Sequence, residues 1–135
     1  MRILITGAAG FLGWHTRLRL HAQGEHEVSI ATRENWSDLR GLVSGTDAVV
    51  HIAGVNRGDD DEVADGNARL ADDVATAVRG ASDAVRVVYA NSIQHGNGTP
   101  YGSGKSRAAA SLGALRVEGH TMVDVRLPNI FGEHG

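Results

Sequence analysis

The sequence predicts one doubly wound α/β domain, in which helices cover both faces of a parallel sheet. Three observations support this fold class. Short apolar segments alternate with longer segments of helical periodicity along residues 1–135. The first apolar segment is followed at once by a glycine-rich turn and a helix. The length suffices for one hydrophobic core and leaves no room for a second domain.

The first half of the chain supplies the first two strands. Residues 3–5 are a continuous apolar run, which is typical of a central parallel strand covered on both faces. Apolar residues recur at helical spacing over residues 11–22, and Gly24 stands where a helix C-cap belongs. A second strand is predicted over residues 26–31, and a short helix over residues 38–43.

The second half continues the alternation with three strands and two helices. A third strand, over residues 48–53, ends at Gly54. The acidic residues 59–62 favour a helix start, and the helix is predicted to reach residue 79. The remaining predicted elements are a strand at 85–90, a loop at 96–100, a helix at 101–117 and a strand at 122–127, which Pro128 ends.

Composition excludes several classes of protein. With 16 acidic and 13 basic residues the net charge is −3, which disfavours binding to nucleic acid. The absence of cysteine excludes disulfides and thiolate sites, and the seven scattered histidines predict no metal site. The chain reaches a turn at Gly7 too early for a signal peptide and has no run of about 18 apolar residues. We therefore expect a cytoplasmic protein without membrane or nucleic-acid partners.

The glycine-rich turn predicts a phosphate-binding loop. Gly7, Gly10 and Gly13 are spaced three residues apart between the first strand and the first helix. A tight turn, a close backbone approach to pyrophosphate and close packing of helix on strand need glycine at these three places. The spacing differs from GxGxxG, so an ordinary tight turn is the alternative interpretation.

Arg33 predicts which dinucleotide such a loop would bind. It lies at the end of the second strand, about 20 residues after the last glycine. An acidic residue there would bind the ribose hydroxyls of NAD, whereas an arginine accepts the 2′-phosphate of NADP. We expect NADP(H) to be favoured over NAD(H), with an exposed surface arginine as the alternative. Glu34 follows it directly.

Three polar residues predict a catalytic site at the same edge of the sheet. Tyr101 and Lys105 are four residues apart, so a helix places them on one face. A cation beside a phenol lowers the phenol pKa and prepares it for proton transfer. Ser92 follows the fourth strand and can reach the same substrate oxygen. An exposed surface pair is the alternative for Tyr101 and Lys105.

Together these motifs make the chain resemble the extended short-chain dehydrogenase/reductase superfamily, in its NAD-dependent epimerase/dehydratase group. The resemblance covers essentially the whole chain and is most specific to the capsular-polysaccharide UDP-sugar reductases. It rests on the glycine loop and on the segments at residues 50–57, 66–67, 92–94, 101–105 and 126–132.

The resemblance implies a role for each matching residue. Tyr101 would be the general acid, Lys105 would bind the nicotinamide ribose and lower the pKa of Tyr101, and Ser92 would orient the substrate oxygen. Asn67 and Asn129 would lie near the sugar. The implied cofactor-binding residues, besides Tyr101 and Lys105, are Gly7, Gly10, Phe11, Leu12, Gly13, Arg33, Ala53, Gly54, Val55 and Pro128.

The resemblance also sets the functional expectation. It implies an NAD(P)-dependent reductase or epimerase that transfers hydride to a keto-sugar nucleotide. Family members continue past the residue matching Gly135 into a substrate-binding part, so we expect the cofactor half without its C-terminal partner. The alternatives are a truncated dinucleotide-binding module without turnover and a collapsed pocket that binds no dinucleotide. Residues 67–78 and 105–115 would form a homodimer bundle in the family, or pack only within one chain.

Overall fold

The structure, a computed structural model, describes residues 1–132 and is built on a parallel sheet. Its strands are β1 (Arg2–Thr6), β2 (Glu27–Ala31), β3 (Ala48–His51), β4 (Arg86–Ser92) and β5 (Thr121–Leu127). Its helices are α1 (Phe11–Gln23), α2 (Leu39–Val43), α3 (Asp60–Arg79) and α4 (Pro100–Gly113), with 3₁₀ turns at Trp36–Asp38 and Ala114–Glu118.

The sheet has the order β2-β1-β3-β4-β5, and every neighbouring pair is parallel. The chain moves one way from β1 to β2 and the other way from β3 to β5, so the direction switches between β1 and β3. In open sheets of this type ligands bind at that switch, beyond the carboxyl ends of the strands. The doubly wound, Rossmann-like α/β prediction is confirmed.

Helices lie on both faces of the sheet, and the hydrophobic core is larger on one face than on the other. Leu20 of α1 packs with Ile3 and Ile5 on one face. The larger core lies on the other face, where α2, α3 and α4 bury their apolar residues against the sheet. Its largest fully buried apolar members are Leu4, Leu112, Leu115, Val43, Val49, Val74, Val78, Val85 and Val87. The site therefore rests on a packed layer formed by α3 and α4.

Three element ends differ from the sequence prediction by more than one residue. The helix predicted over residues 101–117 is α-helical only to Gly113, then winds as a 3₁₀ turn that ends at Gly119 with φ 91°. β3 stops at His51 because the next two backbone N–H groups turn toward the Thr6 hydroxyl, at 3.2 Å each. β4 is longer than predicted and includes Ser92, which pairs with Leu127.

Caps set the starts of α3, which carries Asn67, and of α4, which carries Tyr101 and Lys105. Asp59 and Glu62 form a capping box at α3, with hydrogen bonds of 2.8 and 3.0 Å between each side chain and the other residue's backbone N–H. The acidic cluster is thus a helix start, as predicted. The Thr99 hydroxyl accepts a 3.0 Å hydrogen bond from Gly102 N–H at the start of α4. This cap holds the first turn, which carries Tyr101.

No helix within residues 1–132 is both long and apolar enough to cross a membrane. The same residues contain no cluster of three or more histidine or acidic side chains arranged to hold a metal ion. His134, one of the scattered histidines, lies outside the described residues.

Candidate functional site

The glycine loop has the predicted geometry at two of its three glycines. Gly7 adopts φ +72°, and a Cβ on it would lie 2.6 Å from the backbone nitrogen of Ala53. A Cβ on Gly13 would collide with the Gly7 carbonyl oxygen. Both positions therefore exclude any side chain, which lets β1, β3 and α1 approach closely.

Gly10 leaves the start of α1 open to an anion. It is the N-cap residue and makes no side-chain cap, and the first turn carries no acidic residue. The N–H groups of Phe11, Leu12 and Gly13 precede the first intrahelical hydrogen bond, which Trp14 donates to Gly10 at 2.8 Å. These N–H groups and the helix dipole suit a pyrophosphate.

A cleft of about 1100 Å³ runs from this loop along the carboxyl edge of the sheet. Ala53, Gly54 and Val55 line its floor, and residues 31–34 line one end. Tyr101 and Lys105 line the other end. The volume exceeds that of a typical small-ligand pocket and suits an extended ligand with two ends.

Arg33 lies at the end of the cleft where the sequence predicts the adenosine. The turn around it is held by Asn35, which accepts a 2.6 Å hydrogen bond from Thr32 N–H and donates one of 3.2 Å to the carbonyl of Ile30. Trp36 closes this end by donating a 2.8 Å hydrogen bond to Asp73 of α3. Glu34 lines the same end, so a cation and a carboxylate stand side by side there.

Ser92, Tyr101 and Lys105 converge on a second pocket of about 570 Å³. Ser92 ends β4, whereas Tyr101 and Lys105 occupy consecutive turns of α4. Pro128 and Asn129, which follow β5, line the same pocket. The pocket and the cleft adjoin each other, because both are lined by Phe11, Leu12, Ile52, Asn56, Tyr101 and Lys105.

Lys105 is a buried cation with few partners. It is only 4% exposed, and its Nζ donates a 2.8 Å hydrogen bond to the carbonyl of Ala90. The rings of Tyr89 and Tyr101 flank the ammonium, with centroids 4.9 and 5.7 Å from Nζ. Burial lowers the pKa of Lys105 to about 8, although the Asp124 carboxylate opposes the shift.

The phenol of Tyr101 differs from the sequence prediction. Burial raises the pKa of Tyr101 above its ordinary value, and a hydrogen bond with the Ser92 side chain only partly opposes this shift. The net shift is therefore opposite in direction to the expected lowering, because desolvation of the phenolate is its largest cause. The effect of Lys105 on the pKa of Tyr101 stays a prediction. At neutral pH the phenol is protonated and the lysine is mostly charged.

The side-chain amide of Asn67 forms hydrogen bonds with backbone groups. Its Oδ1 accepts from Val55 N–H at 3.2 Å, and its Nδ2 donates to the carbonyls of Val55 and Val63 at 2.6 and 2.8 Å. The side chain thus fastens the loop after β3 to α3 and shapes the cleft floor. Its contact with a substrate stays a prediction.

The sequence analysis did not predict that four side chains on neighbouring strands form a row next to Lys105. These side chains are Thr6, His51, Tyr89 and Asp124. His51 is 1% exposed, with Nδ1 2.8 Å from the Thr6 hydroxyl. Tyr89 stacks on it with a centroid distance of 5.5 Å. The signal for Asp124 is a carboxylate inside the otherwise apolar segment 122–125.

Comparisons with known proteins agree with this geometry. The NAD dependent epimerase/dehydratase family matches residues 3–135. A curated relative from Pseudomonas aeruginosa, a UDP-2-acetamido-2,6-beta-L-arabino-hexul-4-ose reductase, is 36% identical over 136 residues. That match covers 98% of this chain and 37% of the relative.

Solved structures share the fold over nearly the whole chain. The capsular polysaccharide assembling protein CapF from Staphylococcus aureus superposes with a TM-score of 0.77 at 26% identity, over 99% of this chain and 36% of CapF. A double mutant of the dTDP-glucose 4,6-dehydratase DesIV from Streptomyces venezuelae, solved with NAD and DAU bound, has a TM-score of 0.84 at 19% identity. That match covers 99% of this chain and 57% of DesIV, and at this identity it shows the fold alone.

Proposed function

Because the chain belongs to the NAD dependent epimerase/dehydratase family, we propose that it is the cofactor-binding part of a sugar-nucleotide oxidoreductase, a reductase or epimerase acting on a keto sugar. One observation carries the proposal. The pocket that holds Ser92, Tyr101 and Lys105 opens into the cleft that begins at the glycine loop, and Tyr101 and Lys105 line both. A group capable of proton transfer thus stands at the end of a dinucleotide-sized cleft.

The cleft fits a nicotinamide dinucleotide. Its glycines exclude side chains that would fill the phosphate region, and the open first turn of α1 favours an anion. A bound nicotinamide dinucleotide would supply the hydride. The residues proposed to hold it are Gly7, Gly10, Phe11, Leu12, Gly13, Arg33, Ala53, Gly54, Val55, Tyr101, Lys105 and Pro128.

Tyr101 is the proposed general acid. Its raised pKa keeps the phenol protonated at neutral pH, so it can donate a proton to a carbonyl oxygen that is being reduced. The Lys105 ammonium, 5.7 Å from the Tyr101 ring centroid, would stabilise the phenolate left behind. Ser92 would donate a hydrogen bond to the same substrate oxygen.

The substrate class rests on relatives. The Pseudomonas aeruginosa relative is named a reductase of a UDP-linked hexulose, and two solved neighbours from Bacillus cereus are named UDP-sugar 4-epimerases. This chain spans only 37% of the reductase. A nucleotide sugar is therefore proposed as the substrate, with Asn67 and Asn129 nearest to it.

The cofactor preference is tested by titration with NADPH and NADH, followed by nicotinamide fluorescence. We propose NADP(H), since Arg33 lines the adenosine end. Arg33→Ala is expected to weaken NADPH binding about tenfold and leave NADH binding little changed. Arg86→Ala, an exposed arginine at the amino end of β4, is the matched control. A wild-type preference for NADH would refute the choice and point to Glu34.

Turnover tests the enzyme itself. Oxidation of NADPH in the presence of a UDP-linked 4-keto sugar, abolished in Tyr101→Phe, supports the oxidoreductase. A dinucleotide-binding module without turnover is the alternative. Tight cofactor binding without turnover supports that module, and no binding of either cofactor contradicts both proposals. Homodimerisation through α3 and α4 stays a prediction, measured by light scattering.

A further inference from the structure

Four neighbouring strands place a row of side chains under the site. The registers pair Thr6 with His51, His51 with Tyr89, and Tyr89 with Asp124. Paired residues of parallel strands point to the same face of the sheet. The Lys105 side chain extends from α4 over the Tyr89 ring, so this row of side chains lies directly beneath the buried ammonium.

The inner half of the row is electrically neutral. The Thr6 hydroxyl oxygen accepts hydrogen bonds from the N–H groups of Ile52 and Ala53, so its own hydrogen is directed to Nδ1 of His51. His51 therefore accepts at Nδ1 and carries its proton on Nε2. Burial, with a smaller effect of Lys105, lowers the pKa of His51 to about 3. This histidine adds no positive charge beside Lys105 at neutral pH.

The outer half of the row holds the carboxylate. Asn91 donates a 3.1 Å hydrogen bond to Oδ2 of Asp124 and also contacts Nδ1 of His95 at 2.9 Å. Oδ1 of Asp124 and the hydroxyl of Tyr89 are both buried and have no hydrogen-bond partner among the described residues. The Asp124 carboxylate also has a cation of its own on β5, because Nε of the exposed Arg126 lies 4.0 Å from Oδ2.

The groups around Lys105 leave Asp124 as its source of negative charge. His51 on β3 is neutral, and the phenols of Tyr89 on β4 and Tyr101 on α4 are protonated, because burial raises the pKa of both. On α3, the nearby residue is Asn67, whose side chain is a neutral amide. Asn67 Oδ1 and Lys105 Nζ both lie beside Gly54, at 2.9 and 3.7 Å from the place where a Cβ on that glycine would be. Asp124 on β5 is the carboxylate that favours the charged form of Lys105.

We propose that Asp124 and Tyr89 are positioning residues for Lys105: Asp124 supplies the counter-charge that keeps the ammonium charged, and the Tyr89 ring supports it from below. Without the carboxylate, the amine would lose its proton near neutral pH and fail to stabilise a Tyr101 phenolate. That catalytic consequence rests on the proposed function, but the effect on the charge of Lys105 does not.

The composition allows a direct test, because Lys105 is the single lysine of the chain. Lysine labelled with carbon-13 at Cε gives one side-chain NMR signal, whose shift is followed from about pH 6 to about pH 11. We expect an inflection near 8 in the wild type. Asp124→Asn, which keeps the shape and the acceptor for Asn91, is expected to lower it by about one unit.

Controls separate charge from structure. Asp83→Asn removes a carboxylate from the turn before β4, at the opposite edge of the sheet, and is expected to leave the inflection unchanged. Asp124→Glu, which restores the charge, is expected to return it toward the wild-type value. An inflection in folded Asp124→Asn equal to that of the wild type overturns the role of Asp124.

Tyr89 is tested by a second pair of variants. Tyr89→Phe keeps the ring, and we expect the Lys105 inflection and the ring-induced shift of its Cε signal to remain. Tyr89→Leu removes the ring, and both are expected to change. Equal spectra for Phe and Leu overturn the support role of Tyr89. If Asp124→Asn does not fold, the same titration of Asp124→Thr decides the role of Asp124.

These titrations need no cofactor. A chain that binds no dinucleotide contradicts the proposed function and leaves the titration result standing. A chain that binds dinucleotide but shows no effect of Asp124→Asn contradicts only this inference.

Discussion

Lys105→Met is expected to make the protein more stable, although it removes a proposed catalytic group. Burial lowers the pKa of Lys105 from 10.5 to about 8, so folding opposes its charged form by about 3 kcal/mol at neutral pH. Methionine has a similar length and carries no charge. The loss of the 2.8 Å hydrogen bond to the Ala90 carbonyl offsets about 1 kcal/mol. The net expectation at pH 7 is a gain of about 2 kcal/mol in the free energy of unfolding.

The dependence on pH distinguishes this explanation from better packing alone. Between about pH 8 and pH 10 folded Lys105 loses its proton while the unfolded lysine keeps it, so the unfolded state binds more protons. Wild-type stability should therefore rise by about 1.4 kcal/mol per pH unit in that window. The stability of Lys105→Met should not rise in this way. Because the chain has no other lysine, the difference in slope reports this side chain.

Urea unfolding followed by tryptophan fluorescence measures both quantities at pH 7, 8, 9 and 10. Arg19→Met removes an exposed cation from α1 and should change stability by no more than about 0.5 kcal/mol. A Lys105→Met protein less stable than the wild type at pH 7 would refute the reasoning. So would a wild-type stability that does not rise between pH 8 and pH 10.

Two other substitutions test the cleft and the row beneath it. His51 stays neutral down to about pH 3 in the folded protein, so below about pH 6.5 it removes about 1.4 kcal/mol of stability per pH unit. His51→Asn should make the acid side of the stability profile shallower in urea titrations, and identical slopes would contradict the burial of a neutral histidine. Gly13→Ala places a methyl group against the Gly7 carbonyl and should cost about 1–3 kcal/mol in thermal or urea unfolding. Gly113→Ala, whose Cβ meets only a distant Arg116 atom, is the matched control and should be neutral or stabilising.

The features predictable from sequence are those that depend on neighbours along the chain. Strands and helices alternate with periods that can be counted, and the glycine loop lies between its strand and helix in the sequence itself. Tyr101 and Lys105 are predicted to share a face because a helix brings residues four apart together. These local relations hold in the structure, down to the positive φ of Gly7.

Only the tertiary structure determines the burial, the neighbouring charges and the hydrogen-bond partners of those groups. The pairing of Tyr89 with Asp124 depends on strand register, which joins residues 35 positions apart in the chain. The sign of the Tyr101 pKa shift depends on how much of the phenol is desolvated, and the sequence showed only the nearby lysine. Asn67 is directed to the backbone of Val55 because the first half of α3 lies beside the loop that follows β3. The period of apolar residues and the spacing of motif residues can be read from one segment of the sequence. Burial and charge compensation arise only where distant segments pack together.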